Sequence, residues 1–124
     1  ENAKRLIDAG VKTAFAYFDD SSHQTRLVLQ SAGNAVGSGV DHTAALRAIT
    51  SVPASIFGIS DAGRLSTGGA GDVVIWDGDP LEAMSAPVRI FIAGEEQSLE
   101  SRQTKLRDRY LEIDESEKPT AYKR

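Results

Sequence analysis

Hydrophobic residues recur at helical spacing through much of the first sixty positions. In residues 24–38 the apolar side chains follow an i, i+4, i+7, i+8 pattern, which is typical of an amphipathic helix. Asp41 is suited to cap a second helix that continues to residue 50, and Pro53 suits the first turn of a short third helix over residues 53–59. This part of the chain is therefore predicted to be a run of three helices.

Residues 1–17 are predicted to add one helix and one strand. The helical spacing in residues 1–10 ends at Gly10, and the apolar, β-prone run VKTAFAY at 11–17 predicts a buried strand. A single strand followed by helices cannot form a parallel sheet alone, because a buried strand needs neighbours on both sides. We therefore expect these residues to belong to a longer chain. The opening, which lacks methionine and is already in helical pattern, supports the same expectation.

After Gly58 the pattern changes from helical spacing to short apolar runs separated by turns. Residues 73–76 predict a short strand, and DGDP at 77–80 predicts a turn. Residues 87–95 predict a second strand that leads through a tight turn into an edge strand. The second strand alternates, with Val88, Ile90 and Ile92 on one face and Arg89 and Phe91 on the other. Ser101 is placed to cap a final helix whose apolar side carries Leu106, Tyr110 and Ile113.

The composition narrows the classes of function. A length of 124 residues is typical of a single domain, and the 40% hydrophobic content is sufficient for a hydrophobic core. The absence of cysteine excludes disulfides, cysteine-zinc sites and thiol catalysis. A net charge of -4 argues against a nucleic acid partner, and no run approaches the ~20 apolar residues of a membrane span. A soluble protein is expected, and the sequence leaves its compartment, cytoplasm or periplasm, open.

Three segments stand in a specific order and spacing: residues 44–59 (AALRAITSVPASIFGI), 63–81 (GRLSTGGAGDVVIWDGDPL) and 88–94 (VRIFIAG). Together they resemble the C-terminal end of metal-dependent amidohydrolases, and the imidazolonepropionase-like branch in particular. In that superfamily a (β/α)8 barrel carries the catalytic metals and a small β-sandwich packs beside it. The resemblance implies an α/β fragment, namely the last βα unit of a (β/α)8 amidohydrolase barrel plus the C-terminal strands of the accompanying small β-sandwich.

The same resemblance divides the chain into four parts. They are the last barrel strand and C-terminal barrel helices at 1–59, β-sandwich strands at 60–100, a C-terminal helix at 101–113 and a charged tail at 114–124. One departure lies at residues 67–72, which lack the lysine and the first aspartate that the family has before the strand. These loop positions are not catalytic in the family, so the expected fold is unaffected.

Only one element of the family's metal site is expected in this chain. Family members bind metal through an HxH motif, further histidines and an aspartate after the eighth barrel strand, and neither His23 nor His42 belongs to an HxH. If residues 11–17 are that strand, the resemblance implies that Asp19 or Asp20 is the catalytic aspartate, acting as metal ligand and general base. The alternative is a solvated pair that caps the next helix. No metal or other cofactor is expected in this segment itself; zinc or another divalent metal is expected in the full-length protein.

Other kinds of site are weakly supported. His23 is interpreted as a surface residue, with a position at the barrel mouth as the alternative, and His42 as a surface residue in the first turn of its helix. Asp77 and Asp79 lack the further oxygen ligands of a calcium loop, and they are interpreted as setting turn geometry. The glycine-rich stretches have neither a P-loop nor a dinucleotide-binding context, and no GxSxG elbow occurs.

Two hypotheses of function follow. The first is the C-terminal part of a metal-dependent amidohydrolase that hydrolyses C–N bonds of cyclic amide or peptide-like substrates and is inactive without the rest of the enzyme. The second is a non-catalytic β-rich module for interaction or self-association, since edge strands pair readily with other chains. The expected partners are the N-terminal remainder of its own chain, a small-molecule substrate in the whole enzyme, and a second copy in a homo-oligomer, with no nucleic acid and no membrane.

Overall fold

The structure, a computed structural model, describes residues 2–17, 24–25 and 27–111. Along these residues, four helices are followed by a small three-stranded sheet and a last helix, which confirms the α/β class. In chain order the elements are α1 (Asn2–Asp8), α2 (Leu27–Gly37), α3 (His42–Ala48), α4 (Ser51–Phe57), β1 (Val73–Trp76), β2 (Pro87–Ile92), β3 (Glu95–Gln97) and α5 (Arg102–Leu111).

The central helices begin and end at the residues that their capping chemistry favours. Asp41 precedes α3, and its Oδ2 accepts a hydrogen bond from the backbone N–H of Ala44 at 2.9 Å, as predicted. Helix α4 begins at Ser51, two residues before the predicted start at Pro53. Because the first N–H groups of a helix have no intrahelical acceptor, proline is tolerated in this first turn. Gly58 ends α4 in the left-handed conformation, with φ of 71°.

Residues 11–17 do not form the predicted strand. None of them pairs with another strand among the described residues, and both Val11 and Tyr17 are exposed. A backbone hydrogen bond from Phe15 N–H to the carbonyl of Ala48, at 3.0 Å, holds the segment against the end of α3. A strand requires another strand alongside it, and the three strands of the described chain pair only with each other. The prediction of a buried strand is therefore wrong for this segment as described.

The sheet has three antiparallel strands in the order β1-β2-β3. Val74 lies opposite Ile90, and an irregularity in the register separates Ile75 from Trp76. Directly opposed residues share a face, so Val74 lies on the same face of the sheet as Ile90. On the other face, the guanidinium of Arg89 lies 4.9 Å from the centre of the Phe91 ring. The prediction of two strands, a turn and an edge strand is confirmed.

A glycine in α2 allows the loop that follows β1 to pack closely against this helix. A Cβ atom placed on Gly33 of α2 would lie 2.3 Å from the carbonyl oxygen of Leu81, which is closer than real contacts allow. Only glycine permits this approach of the loop backbone to the helix. Leu81 is itself buried and forms one cluster with Ala32, Val40 and Ala45. The loop after β1 is thus packed onto the helical part of the chain.

The core of the described residues is small. Its buried hydrophobic side chains are Ala32, Val40, Ala45, Ala48, Ala54 and Leu81. No large side chain among the described residues is fully buried, whereas Phe57, Leu65 and Met84 are 78%, 83% and 93% exposed. Soluble proteins usually keep such large apolar groups from clustering in water. Much of the apolar surface of this chain is therefore left uncovered by its own described residues.

The last helix follows its predicted cap. The Oγ of Ser101 accepts a hydrogen bond from the backbone N–H of Thr104 at 3.1 Å, so Ser101 caps α5 as predicted. Helix α5 is described to Leu111, and Ile113 of its predicted apolar side lies outside the described residues. Within the described ranges no helix has the length and apolarity needed to cross a bilayer.

Candidate functional site

The predicted catalytic aspartates, Asp19 and Asp20, lie outside the described residues, and so does His23. The described segment 11–17 leads towards them. Phe15 of this segment packs against the buried cluster around Ala45, and its backbone N–H is bonded to α3. The approach to the predicted aspartates is therefore anchored on the helical core, while the assignment of either one to catalysis stays a prediction.

The acidic stretch around β1 uses its carboxylates to hold turns. Asp77 Oδ1 accepts a hydrogen bond from the backbone N–H of Ala86 at 2.8 Å, which closes the loop between β1 and β2. Asp72 Oδ1 accepts one from the N–H of Ala93 at 2.8 Å, at the turn between β2 and β3. Asp79 Oδ1 accepts one from the N–H of Leu81 at 2.9 Å, in an Asx-type turn. The interpretation of Asp77 and Asp79 as residues that set turn geometry is confirmed.

Asp79 also reaches the helical part of the chain. Its Oδ2 lies 2.7 Å from Nε2 of His42, the first residue of α3. His42 is near the surface, as predicted, but its imidazole has a specific carboxylate partner 37 positions further along the sequence. Asp79 therefore binds its own turn with one oxygen and α3 with the other. We call His42 and Asp79, together with the Leu81 N–H, the turn clamp.

Hydrogen bonding favours the charged form of the Asp79 carboxylate. The pKa of Asp79 is lowered from its ordinary value of 3.8, chiefly by the hydrogen bond from the Leu81 N–H and then by the hydrogen bond and charge of His42. Desolvation opposes this shift in the pKa. The turn clamp thus holds an ionised carboxylate across the pH range in which most proteins work.

The turn clamp does not resemble a metal centre. Within the described ranges, His, Cys, Asp and Glu side chains nowhere gather in a group of three or more that would hold a metal ion. Asp77 and Asp79 each use one carboxylate oxygen on a backbone N–H of the turn. The described residues therefore do not fit the catalytic metal of an amidohydrolase, and their arrangement serves to position a loop.

Two open clefts border the helices. The first, of about 580 Å³, lies between α2 and the loop after β1 and is lined by Trp76, Leu81, Glu82 and Asn34 among others. Its mixed lining shows no cluster of one charge. The second, of about 650 Å³, lies between residue 12, the end of α3, the start of α4 and the loop at 63–64. Both volumes are in the range of small-molecule sites.

Sequence reasoning missed the turn clamp. It interpreted His42 as a surface residue in the first turn of its helix and Asp79 as a turn residue. The capping position of Asp41 and the turn pattern at 77–80 are local signals, and both identified their structures correctly. The contact between His42 and Asp79 is a tertiary contact, and nothing in the sequence near either residue indicates it.

Comparison with known proteins gives a family match over most of the chain. The model of the amidohydrolase family matches residues 1–103. The matched residues include α1, the helical core, the turn clamp and all three strands. Members of this family generally use divalent metals.

Two individual proteins are similar to the chain over about three quarters of its length. Amidohydrolase tasK of Hapsidospora irregularis is 32% identical over 92 residues, which are 73% of this chain and 9% of that protein. The crystal structure of an amidohydrolase from Thermotoga maritima MSB8 superposes with a TM-score of 0.68 at 28% identity, covering 76% of this chain and 24% of that one. The chain therefore spans 9% of the curated relative and 24% of the solved chain.

Proposed function

The chain belongs to the amidohydrolase family, and from this premise we propose that it acts as the C-terminal part of a metal-dependent hydrolase of C–N bonds. The family match over residues 1–103 carries the proposal. The proposed substrates are cyclic amides or peptide-like molecules, as in the imidazolonepropionase-like branch that the segments at 44–59 and 63–81 resemble. The chain by itself is proposed to be inactive.

The proposed architecture assigns a place to each part of the chain. We propose that residues 1–59 supply the last βα unit of a (β/α)8 barrel and that residues 60–100 supply strands of the small β-sandwich. Residues 11–17 have no strand partner within the described chain, and on this proposal the rest of the barrel would provide one. The exposed Phe57 and Leu65 support the proposal, since a larger fold would cover them.

The proposed chemical role of the chain rests on Asp19 or Asp20. Asp19 or Asp20 would take up and return a proton during hydrolysis, and a divalent metal, when bound by the whole enzyme, would supply Lewis-acid activation of water. Active sites of barrels lie on the loops that follow the strands, and Asp19 follows the segment 11–17 by two residues. The described residues would position this loop through Phe15 and α3, and they supply no metal ligand set of their own.

The test requires a protein in which these residues are joined to the remainder of the family fold. The two variants to test are Asp19→Asn and Asp20→Asn. We expect the one that removes the catalytic carboxylate to lower kcat by at least about a hundredfold, measured on a panel of hydantoins and dipeptides. Asp61→Asn is the matched control, because the Asp61 side chain is exposed and in the loop before β1. If neither variant differs from Asp61→Asn, the catalytic assignment is wrong.

A second function, as a self-association module, is favoured by one observation. Val74 and Val88 are large apolar residues of the sheet that remain exposed, and β1 and β3 are both edge strands of the sheet. Exposed edges with apolar neighbours pair with other chains. On this proposal the partner is a second copy, and light scattering on the chain would give a dimer or larger species. A monomer at high micromolar concentration would exclude it.

A further inference from the structure

Three cationic side chains from separate segments line the second cleft, which we call the basic cleft. Lys12 comes from the segment after α1, Arg47 from the last turn of α3, and Arg64 from the loop that follows α4. Four further lining residues carry hydroxyl groups: Thr43, Thr50, Ser51 and Ser55. Every ionisable side chain that lines the cleft is therefore positive, and the remaining polar groups can donate hydrogen bonds.

These three charges are not neutralised by carboxylates of the described chain. The ion pairs among the described residues involve Lys4, His42, Arg89, Lys105 and Arg107, and none of them reaches the basic cleft. Lys12 Nζ instead donates a hydrogen bond to Ser55 Oγ at 3.0 Å. The two arginines have no carboxylate within ion-pair distance in the described part of the chain.

One carboxylate lies close to the cleft and is already engaged. Asp41 lines a smaller adjoining hollow of about 170 Å³ together with Lys12 and Arg47. Its Oδ2 accepts the capping hydrogen bond from the Ala44 N–H. Asp41 forms no ion pair with Lys12 or Arg47 among the described residues, and its single negative charge is smaller than the three positive charges of the larger cleft.

A glycine fixes the wall of the cleft. Gly63 has φ of +74°, and a Cβ atom at this position would lie 2.5 Å from the carbonyl oxygen of Thr50. The loop backbone can approach the junction of α3 and α4 this closely only because residue 63 has no side chain. This approach places Arg64 beside the junction that also carries Arg47. Backbone packing at Gly63 thus brings Arg64 to the cleft.

We propose that the basic cleft binds a multiply charged oxyanion of the phosphate class, either free or as part of a small phosphorylated molecule. Guanidinium groups present several N–H donors to such an anion, lysine adds a point charge, and hydroxyl groups complete the shell. A singly charged carboxylate would leave most of the three positive charges unbalanced. The whole chain has a net charge of -4, so attraction of an anion to this cleft would be local and would not reflect the overall charge.

The site is separate from the catalytic proposal. None of its residues is an aspartate assigned above to catalysis, and its existence does not depend on the hydrolase activity. The experiment is a calorimetric titration of the full protein with sodium pyrophosphate, inorganic phosphate and acetate at constant ionic strength. We expect binding in the order pyrophosphate, phosphate, acetate, with acetate showing no measurable heat.

Variants locate the binding within the cleft. Arg47→Gln and Arg64→Gln should each weaken pyrophosphate binding by at least about tenfold, because each removes a charge-assisted contact. Arg102→Gln, which removes the same charge from α5, should leave the affinity unchanged. Arg47→Lys should restore part of the affinity. Since Arg64 lies in an exposed loop, its variant gives an answer even if Arg47→Gln impairs folding, which circular dichroism would report.

Three results would overturn the proposal. They are the absence of pyrophosphate binding by the unmodified protein, an affinity for acetate equal to that for phosphate, and an equal loss of binding in Arg64→Gln and Arg102→Gln. The first would show that the cleft is filled by other parts of the protein or is not a site. The last would show that binding follows net charge alone.

Discussion

At the scale of single residues, Asp79 connects two parts of the chain. One carboxylate oxygen accepts the Leu81 N–H at 2.9 Å and the other contacts His42 at 2.7 Å. Both contacts are near the surface. There an ion pair alone contributes little to the stability of the fold, and a backbone N–H that loses its acceptor can donate a hydrogen bond to water instead. Asp79 therefore acts mainly by fixing the position of the loop relative to α3.

Substitution of Asp79 separates the two contacts. Asp79→Asn keeps an oxygen for the Leu81 N–H but removes the charge opposite His42, so we expect a decrease in Tm of about 1–3 °C. Asp79→Ala removes both contacts and should lower Tm further. The measurement is thermal unfolding by circular dichroism, with Asp61→Asn as the control. A Tm for Asp79→Ala equal to that of the control would show that the turn clamp does not stabilise the fold.

The pH dependence of stability should follow from two carboxylates. The pKa of Asp79 is lowered by the Leu81 N–H and His42, and the pKa of Glu96 is lowered by its paired hydrogen bonds with Arg89. A carboxylate whose pKa is lower in the folded state stabilises the fold above its unfolded pKa, and this contribution is lost as the pH falls through the folded pKa. We expect the unfolding midpoint in urea to fall as the pH is lowered from about 5 to 3.

The variant that checks this pH dependence is Asp79→Asn combined with Glu96→Gln. It should be less stable than the unmodified protein at pH 6 and should lose less stability on acidification, because two groups that take up protons on unfolding have been removed. Asp61→Asn again serves as the control. Parallel pH profiles for the double variant and the unmodified protein would contradict the assignment.

At the scale of elements, the packing of α2 on the loop after β1 depends on one glycine. A methyl group at Gly33 would meet the backbone of Leu81, which cannot move aside as a flexible side chain would. Gly37, in the same helix, has no neighbouring atom within 4 Å of its Cβ position. The two glycines therefore form a matched pair for testing the contact.

We expect Gly33→Ala to destabilise the fold by roughly 1–3 kcal/mol, because overpacking at Leu81 exceeds the gain in helix propensity. Gly37→Ala should be neutral or stabilising by up to about 1 kcal/mol. Urea unfolding of both variants measures the difference. If Gly33→Ala is as stable as Gly37→Ala, the loop does not pack on α2 as described.

Most elements could be predicted because their signals are local. Asp41 and Ser101 cap the helices that follow them, and residues 73–76 form β1 with the predicted bounds. The third helix was predicted to continue to residue 59, whereas α4 ends at Phe57, before Gly58. The prediction of a strand at 11–17 was wrong for the described chain, because apolar, β-prone residues form a strand only beside another strand. The turn clamp and the Gly33 contact could not be predicted, because their partners lie far apart in sequence. Asp19 and Asp20 lie outside the described residues, so their assignment to catalysis stays a prediction.

At the scale of the whole molecule, the described chain buries few apolar side chains and leaves many large ones exposed. Among the described residues, the buried hydrophobic side chains are mainly alanines, and many larger apolar side chains, such as Phe57 and Leu65, are exposed. Small chains bury a limited fraction of their surface, and alanine contributes little area to a core. The family match supports the proposal that the remaining apolar surface is covered by a barrel and a sandwich of which this chain forms part.

Phe57 provides the sharpest test of this proposal. In the described chain its side chain is 78% exposed, so Phe57→Ser in the 124-residue chain should change stability by less than about 0.5 kcal/mol. In a protein that carries the rest of the family fold, the same change should cost about 2–4 kcal/mol, because a buried aromatic side chain would be lost. Leu111→Ser is the control, since Leu111 is also exposed and lies beyond the matched residues 1–103. Chemical unfolding of the two variants and the unmodified protein, each in both settings, gives the comparison. A small effect of Phe57→Ser in both settings would show that this surface faces water in the larger protein.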